Sequence, residues 1–199
     1  MNRRSLLAAA PLLALSTCTV KPKVVATEGK TLAFLTAAHA QTLVKTTYDG
    51  GYARIGYPMG DVAADRGACT DVVIRAYRAL GIDLQQLVHE DMLAHFDLYP
   101  QKWGLTAPDS NIDHRRVPNL RVFFSRFGTA LPVTRNPADF RPGDLITNTP
   151  FGGTHIAVVS DTKSLIADRL MVIQNCGAGP KQDDQLLFYP MTGHYRFGL

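Results

Sequence analysis

The apolar positions change their period part-way along the chain. Before Gly128 they recur at helical spacing, and after it they come in short β-branched runs. Residues 31–46 place Leu32, Leu35, Ala38, His39, Thr42 and Leu43 on a helical repeat. A second helix opens at Cys69: Val72, Val73, Ala76, Tyr77 and Leu80 keep the spacing, and Gly81 closes it. Asp83 has the chemistry of an N-cap for a third helix over 84–96, with Leu84, Leu87, Val88, Met92 and Phe96 inward and Pro100 beyond it. A fourth, over 118–127, carries Leu120, Phe123, Phe124 and Phe127. Residues 48–68, with Gly50, Gly51, Gly56, Pro58 and Gly60, predict a structured loop, and 101–117 are polar and irregular.

Four short runs follow Gly128: 145–147, 155–160, 170–175 and 185–189. Each is bounded by Gly, Pro, Asp or Asn and predicts a strand. Helices first and strands afterwards predict an α+β domain, with N-terminal helices packed on a C-terminal antiparallel β-sheet. There is no internal repeat.

The ends add a compartment. Met1-Asn2-Arg3-Arg4 is followed by a nearly apolar stretch, Ser5 to Ser16, too short to span a bilayer. A charged start and a short apolar core predict an export signal over 1–18. Leu15-Ser16-Thr17-Cys18 resembles a lipobox, which implies acylation of Cys18 and attachment to a membrane. Thr17 departs from the usual Gly, Ala or Ser, and an ordinary cleaved signal is the alternative. Asn2-Arg3-Arg4-Ser5-Leu6-Leu7 also resembles a twin-arginine signal. All three readings place the mature protein outside the cytoplasm, in the periplasm or as an outer-membrane lipoprotein. Residues 19–30 are polar and predict a tether, leaving 31–199 as one domain.

The formal net charge of +4 is scattered, with no dense basic run, which excludes nucleic acid as the expected partner. Three cysteines exclude a disulfide-dense scaffold. With Cys18 acylated, Cys69 and Cys176 remain. A disulfide between them in an oxidising compartment is the rival to a nucleophilic Cys69, and we expect them unpaired in the active protein. There is no Cys-x-x-Cys or His-Glu-x-x-His, so neither a metal nor a cofactor is expected.

Cys69 stands where a loop becomes a buried helix. Unpaired N–H groups and a partial positive charge at a helix N-terminus favour the thiolate, the nucleophilic form. The plainer alternative is a small buried apolar residue. Three motifs then occur in order: Gly67-Ala68-Cys69-Thr70-Asp71, Arg141-Pro142-Gly143-Asp144-Leu145-Ile146, and Gly152-Gly153-Thr154-His155-Ile156-Ala157-Val158-Val159-Ser160-Asp161. Over residues 48–197 this set resembles the NlpC-type cysteine peptidases of the papain-like superfamily. It is closer still to an exported bacterial family of unknown function within that superfamily, through Gly60-Asp61-Val62, Cys69 to Arg78, Asn111 to Arg116, and Gly193-His194-Tyr195-Arg196.

The resemblance implies a fold and a reaction class, with Cys69 as nucleophile and His155 as base. A third residue from 170–176 would orient the ring. The superfamily often has His there, where this chain has Gln174-Asn175. Either amide can accept from the ring N–H, and strand alternation lets only one serve. The position directly after Ile173 favours Gln174, facing the Cys69 helix, and leaves Asn175 to hold the 177–179 loop. The resemblance also implies that Tyr57 helps the Cys69 N–H stabilise an oxyanion; a core tyrosine is the alternative. Asp113, His114 and Arg115 either bind a charged substrate or form a structural ion-pair cluster. Asp144 reads as a turn-closing residue, and His194 and Arg196 as structural.

The implied function is a cell-envelope cysteine hydrolase cleaving an amide bond, with peptidoglycan peptides as substrate. The alternatives are a non-catalytic envelope binding lipoprotein, or an acyltransferase or thioesterase using the same dyad.

Overall fold

The computed structural model describes residues 22–199; the leader and Cys18 lie outside the described residues. Among the described residues there are four α-helices: α1 (Gly29–Gln41), α2 (Cys69–Arg78), α3 (Leu84–Ala94) and α4 (Val117–Phe127). A short parallel pair joins β1 (Thr47–Tyr48) to β2 (Arg66–Gly67). The main sheet holds β3 (Thr129–Leu131), β4 (Leu145–Asn148), β5 (His155–Lys163), β6 (Leu170–Gln174), β7 (Lys181–Asp183) and β8 (Met191–Arg196). Its order is β3-β8-β4-β5-β6-β7, antiparallel throughout. The fold is α+β.

Strand alternation divides the interior in two. Leu145, Ile156, Val158, Ile173 and Tyr195 face the helices and join Phe34, Leu35, Val73, Tyr77, Leu120 and Phe124 in the larger core. The intervening residues Ile146, Ala157, Val159 and Val172 face away and pack with Phe140, Leu170 and Leu186. Each fully buried aliphatic or aromatic side chain contributes about 1.5–3 kcal/mol. α2 is the central helix: it packs on α1 and on β5, and Cys69 through Ile74 are all buried. Gly81, at φ +73, takes the left-handed conformation just beyond it.

Several elements differ from the sequence reading. The first helix stops at Gln41 and residues 42–44 turn, with Leu43 exposed. Residues 186–188 form a turn, not a strand: Leu186 points into the smaller core while Phe188 is exposed. Pro190, which has no N–H, follows that turn. The last strand, β8, lies between β3 and β4 in spite of carrying His194 and Arg196. One buried carboxylate makes this tolerable: Asp144 accepts from His194 Nε2 (2.7 Å), Arg196 Nε (2.6 Å) and the Arg141 N–H (2.9 Å). The segment predicted as a tether is bonded to the end of β5, with Val25 N–H donating to Asp161 O at 2.7 Å and Lys163 N–H to Lys23 O at 2.8 Å.

Candidate functional site

The helix start that presents Cys69 is tied down on several sides. Asp71 accepts the Ala68 N–H at 2.6 Å, satisfying a donor at the end of the helix. The same carboxylate takes two hydrogen bonds from Arg115, both 2.9 Å, and this pair is buried. Arg115 also donates to Gly51 O (2.8 Å) and Asp49 O (2.9 Å). Pairing of Tyr48 with Gly67 then sets the Tyr48 hydroxyl beside the thiol.

The electrostatics of Cys69 run against the simple helix-terminus argument. Burial pushes the thiol up to about 11, and Asp71 adds to the rise. The N–H groups of Ile156, Thr70 and Cys69 itself act in the opposite direction without overcoming it. Tyr48 is pushed up to about 12, chiefly by burial and then by the neighbouring sulfurs of Cys69 and Cys176. Cys69 and Cys176 are both free thiols. Cys69 is therefore a neutral thiol at neutral pH.

His155 begins β5 and is buried. Its Nε2 lies 2.8 Å from Gln174 Oε1. Gln174 donates in turn from its amide nitrogen to Gln185 Oε1 (2.8 Å) and Asp183 Oδ2 (3.2 Å). An ionised carboxylate only accepts, so the Gln174 NH2 must face Asp183 and its carbonyl must face the ring. His155 Nε2 therefore carries the proton, and the neutral ring keeps its lone pair on Nδ1. Burial pushes the His155 pKa below its usual value, with Gln174 partly opposing, so that lone pair is available at neutral pH. No hydrogen bond joins Cys69 to His155 among the described residues. They meet through the backbone: the Ile156 N–H at the thiol belongs to the peptide that follows His155.

The neighbouring amide has a different occupation. Asn175 Nδ2 donates to Gly67 O at 2.9 Å, and its Oδ1 accepts the Gly177 N–H at 3.2 Å. The amide directed to the Cys69 helix is thus Asn175, not Gln174, and it holds the backbone before the thiol. Gln174, on the alternate face, holds the ring. Asn148 was not singled out from the sequence. It pairs in register with His155, shares its side of the sheet, is buried, and has an Oδ1 without a partner among the described residues. A polar residue ending an apolar strand was its only sequence signal.

Two further expectations are corrected. Tyr57 is exposed and packs edge-on against His89 of α3, centroids 5.2 Å apart; the tyrosine at the thiol is Tyr48. Asp113, His114 and Arg115 form a buried 3-10 turn and offer no surface to a substrate. Asp113 accepts from the Asp109 N–H and from Arg116 (3.2 Å), and burial raises its pKa. Burial, with the Arg115 charge, pushes His114 down to about 4.

A family model described as Domain of unknown function (DUF1287) matches residues 35–197. The chain belongs to the DUF1287 family. YijF, an uncharacterized protein of Escherichia coli (strain K12), is 47% identical over 195 residues, covering 97% of this chain and 95% of its own. Among solved structures, NlpC2 from Trichomonas vaginalis is similar at 14% identity and a TM-score of 0.43. NlpC1 from the same organism is similar at 15% identity and a TM-score of 0.40. They align with 87% and 84% of this DUF1287 chain, which spans 48% and 42% of theirs, about half their length.

Proposed function

We propose that this DUF1287 protein is a cysteine hydrolase that cleaves an amide bond in a peptide, with Cys69 as nucleophile and His155 as base. The observation that carries the reading is the fixed ring: Asp183 and Gln185 orient Gln174, Gln174 Oε1 accepts a hydrogen bond from Nε2–H, and Nδ1 remains a proton acceptor. A neutral thiol and a neutral imidazole suit general-base attack, and resting enzymes often hold such partners beyond hydrogen-bond distance until substrate binds.

In this reading His155 Nδ1 takes the Sγ proton as sulfur bonds to the carbonyl carbon and the C=O pair moves to oxygen. The Cys69 N–H and the Tyr48 hydroxyl donate to that oxyanion. The carbonyl re-forms, the C–N bond breaks, and the amine leaves with the proton from Nδ1. Water then attacks the thioester and gives its proton to Nδ1. The sulfur leaves and recovers that proton. The export signal in the leader makes peptidoglycan peptides the natural substrate class, an argument from compartment rather than from any residue of the site. Burial of Cys69 favours a second reading, a non-catalytic envelope binding protein.

The test is mass spectrometry of muropeptides incubated with the purified protein. We expect a new amine and carboxylate pair, with turnover lowered at least about 10³-fold in Cys69→Ala and in His155→Ala. No product from any muropeptide, together with no labelling of Cys69 by an electrophile at pH 9, would leave the binding reading.

A further inference from the structure

Beside the entry to β5 lies a cleft of about 490 Å³, whose walls include Leu98, Lys102, Arg121, Val122, Arg126 and Thr154. Thr154 directly precedes His155, so one wall of the cleft is the chain that leads into the strand carrying His155. Three of these residues are cationic, and they are not equivalent. Arg126 is committed to Asp91 by two hydrogen bonds of 2.8 and 2.9 Å. Arg121 is anchored by neutral groups alone: it donates to Thr192 O at 2.8 Å and, more weakly, to the Tyr195 hydroxyl at 3.4 Å. Neither Arg121 nor Lys102 has a carboxylate partner among the described residues.

A guanidinium held along its Nε and Nη2 edge is preorganised and presents its Nη1 end, which makes no hydrogen bond among the described residues, to a carboxylate. Lys102 adds a mobile point charge, and Leu98 and Val122 an apolar wall. A concave, partly apolar surface with few polar groups of one sign selects for an anion attached to an organic chain. Electrostatic focusing in a cleft strengthens that selection.

We propose that this cleft is a substrate subsite for a free carboxylate, held by Arg121 and Lys102 close to the bond that is cut. The preferred substrate is then an acidic peptide, and its amidated form is discriminated against. This rests on the hydrolase reading of Cys69 and His155, and the test keeps the two apart.

Binding is measured by calorimetry with the Cys69→Ala protein, which needs no turnover. The probes are the free tetrapeptide of peptidoglycan and the same peptide with its carboxylates converted to carboxamides. We expect the acid to bind at least about tenfold more tightly, a preference weakened by salt. It should disappear in Lys102→Gln/Arg121→Gln and survive in Arg121→Lys, with thermal unfolding confirming that each variant is folded. Equal binding of the two peptides, binding of neither, or a preference that persists in the double variant overturns the subsite. An acid preference in a protein whose wild type cuts neither peptide removes the hydrolase reading and leaves the subsite. Wild-type cleavage of both peptides with equal kcat/KM does the reverse.

Discussion

Two buried histidines on one sheet make nearly the same contact and are suited to different work. His155 places Nε2 2.8 Å from Gln174, and His194 places Nε2 2.7 Å from Asp144. The acceptor of His155 is a neutral amide, which offsets only part of the desolvation of an imidazolium, and the ring stays neutral with a lone pair on Nδ1. The acceptor of His194 is a carboxylate held ionised in spite of burial by His194, Arg196 and the Arg141 N–H. Phe140 stacks on the His194 ring at 4.5 Å, closing that side. The charge of the acceptor, rather than the presence of a hydrogen bond, separates a group poised to take a proton from one that braces a strand.

The largest effect should come from breaking the brace. Asp144→Ala leaves His194 and Arg196 without their anion and the Arg141 N–H without its acceptor. Removing one member of a buried ionic cluster costs about 3–5 kcal/mol. A loss of that size in the unfolding free energy from urea denaturation, with kcat unchanged per folded molecule, is the expected result. A loss of kcat without a loss of stability would place Asp144 in the chemistry.

That same contrast shows what was legible in the sequence. The Cys69 helix, its Asp83-capped successor and the His155 strand were readable because periodicity and capping are local. β8 was not, because it carries His194 and Arg196, which look like surface until Asp144, on the approach to β4, accepts hydrogen bonds from both. The apolar run 185–189 misled in the opposite sense: only alternation shared with a neighbour makes such a run a strand. Tyr48 was hidden because a two-residue parallel pair with a segment nineteen positions away, Tyr48 with Gly67, brings it to the thiol. Asp113, His114 and Arg115 left two readings open, and burial decides between them. The helix N-terminus at Cys69 and its burial were both open as readings in the sequence; that burial outweighs the terminus was not legible.

Next in size is the acceptor of His155. Gln174→Ala removes the bond that fixes the ring, and we expect kcat to fall about 10–100-fold, or about 1.4–2.7 kcal/mol in the barrier. Gln174→Glu converts this histidine to the electrostatics of the other. On the proposed hydrolase reading His155 of the wild type must be unprotonated, so kcat/KM should rise with pH through an apparent pKa below 6.5. It should then hold a plateau toward about 11, where the thiol ionises. A carboxylate at 174 stabilises the imidazolium, so the acidic limb should move up by about one unit or more. A wild-type acidic limb above pH 7, or a limb that does not move in Gln174→Glu, would contradict the tautomer argument.

The smallest effect sharpens the comparison at the end of β6, because Asn175 follows Gln174 and faces the other way. Asn175→Ala removes one donor from Gly67 O and one acceptor from the Gly177 N–H. The Gly67 carbonyl still receives the Asp49 N–H at 3.1 Å, so it is not stranded, and the loss should be about 1 kcal/mol of stability. Its effect on kcat should stay under about threefold, because the ring and its proton are untouched and only the backbone before Cys69 loosens. The decisive measurement is the ratio of the two variants at equal folded fraction. If Asn175→Ala slows turnover more than Gln174→Ala does, the helix-facing amide serves the reaction, and the bond seen between Gln174 and His155 is a strut like that of His194.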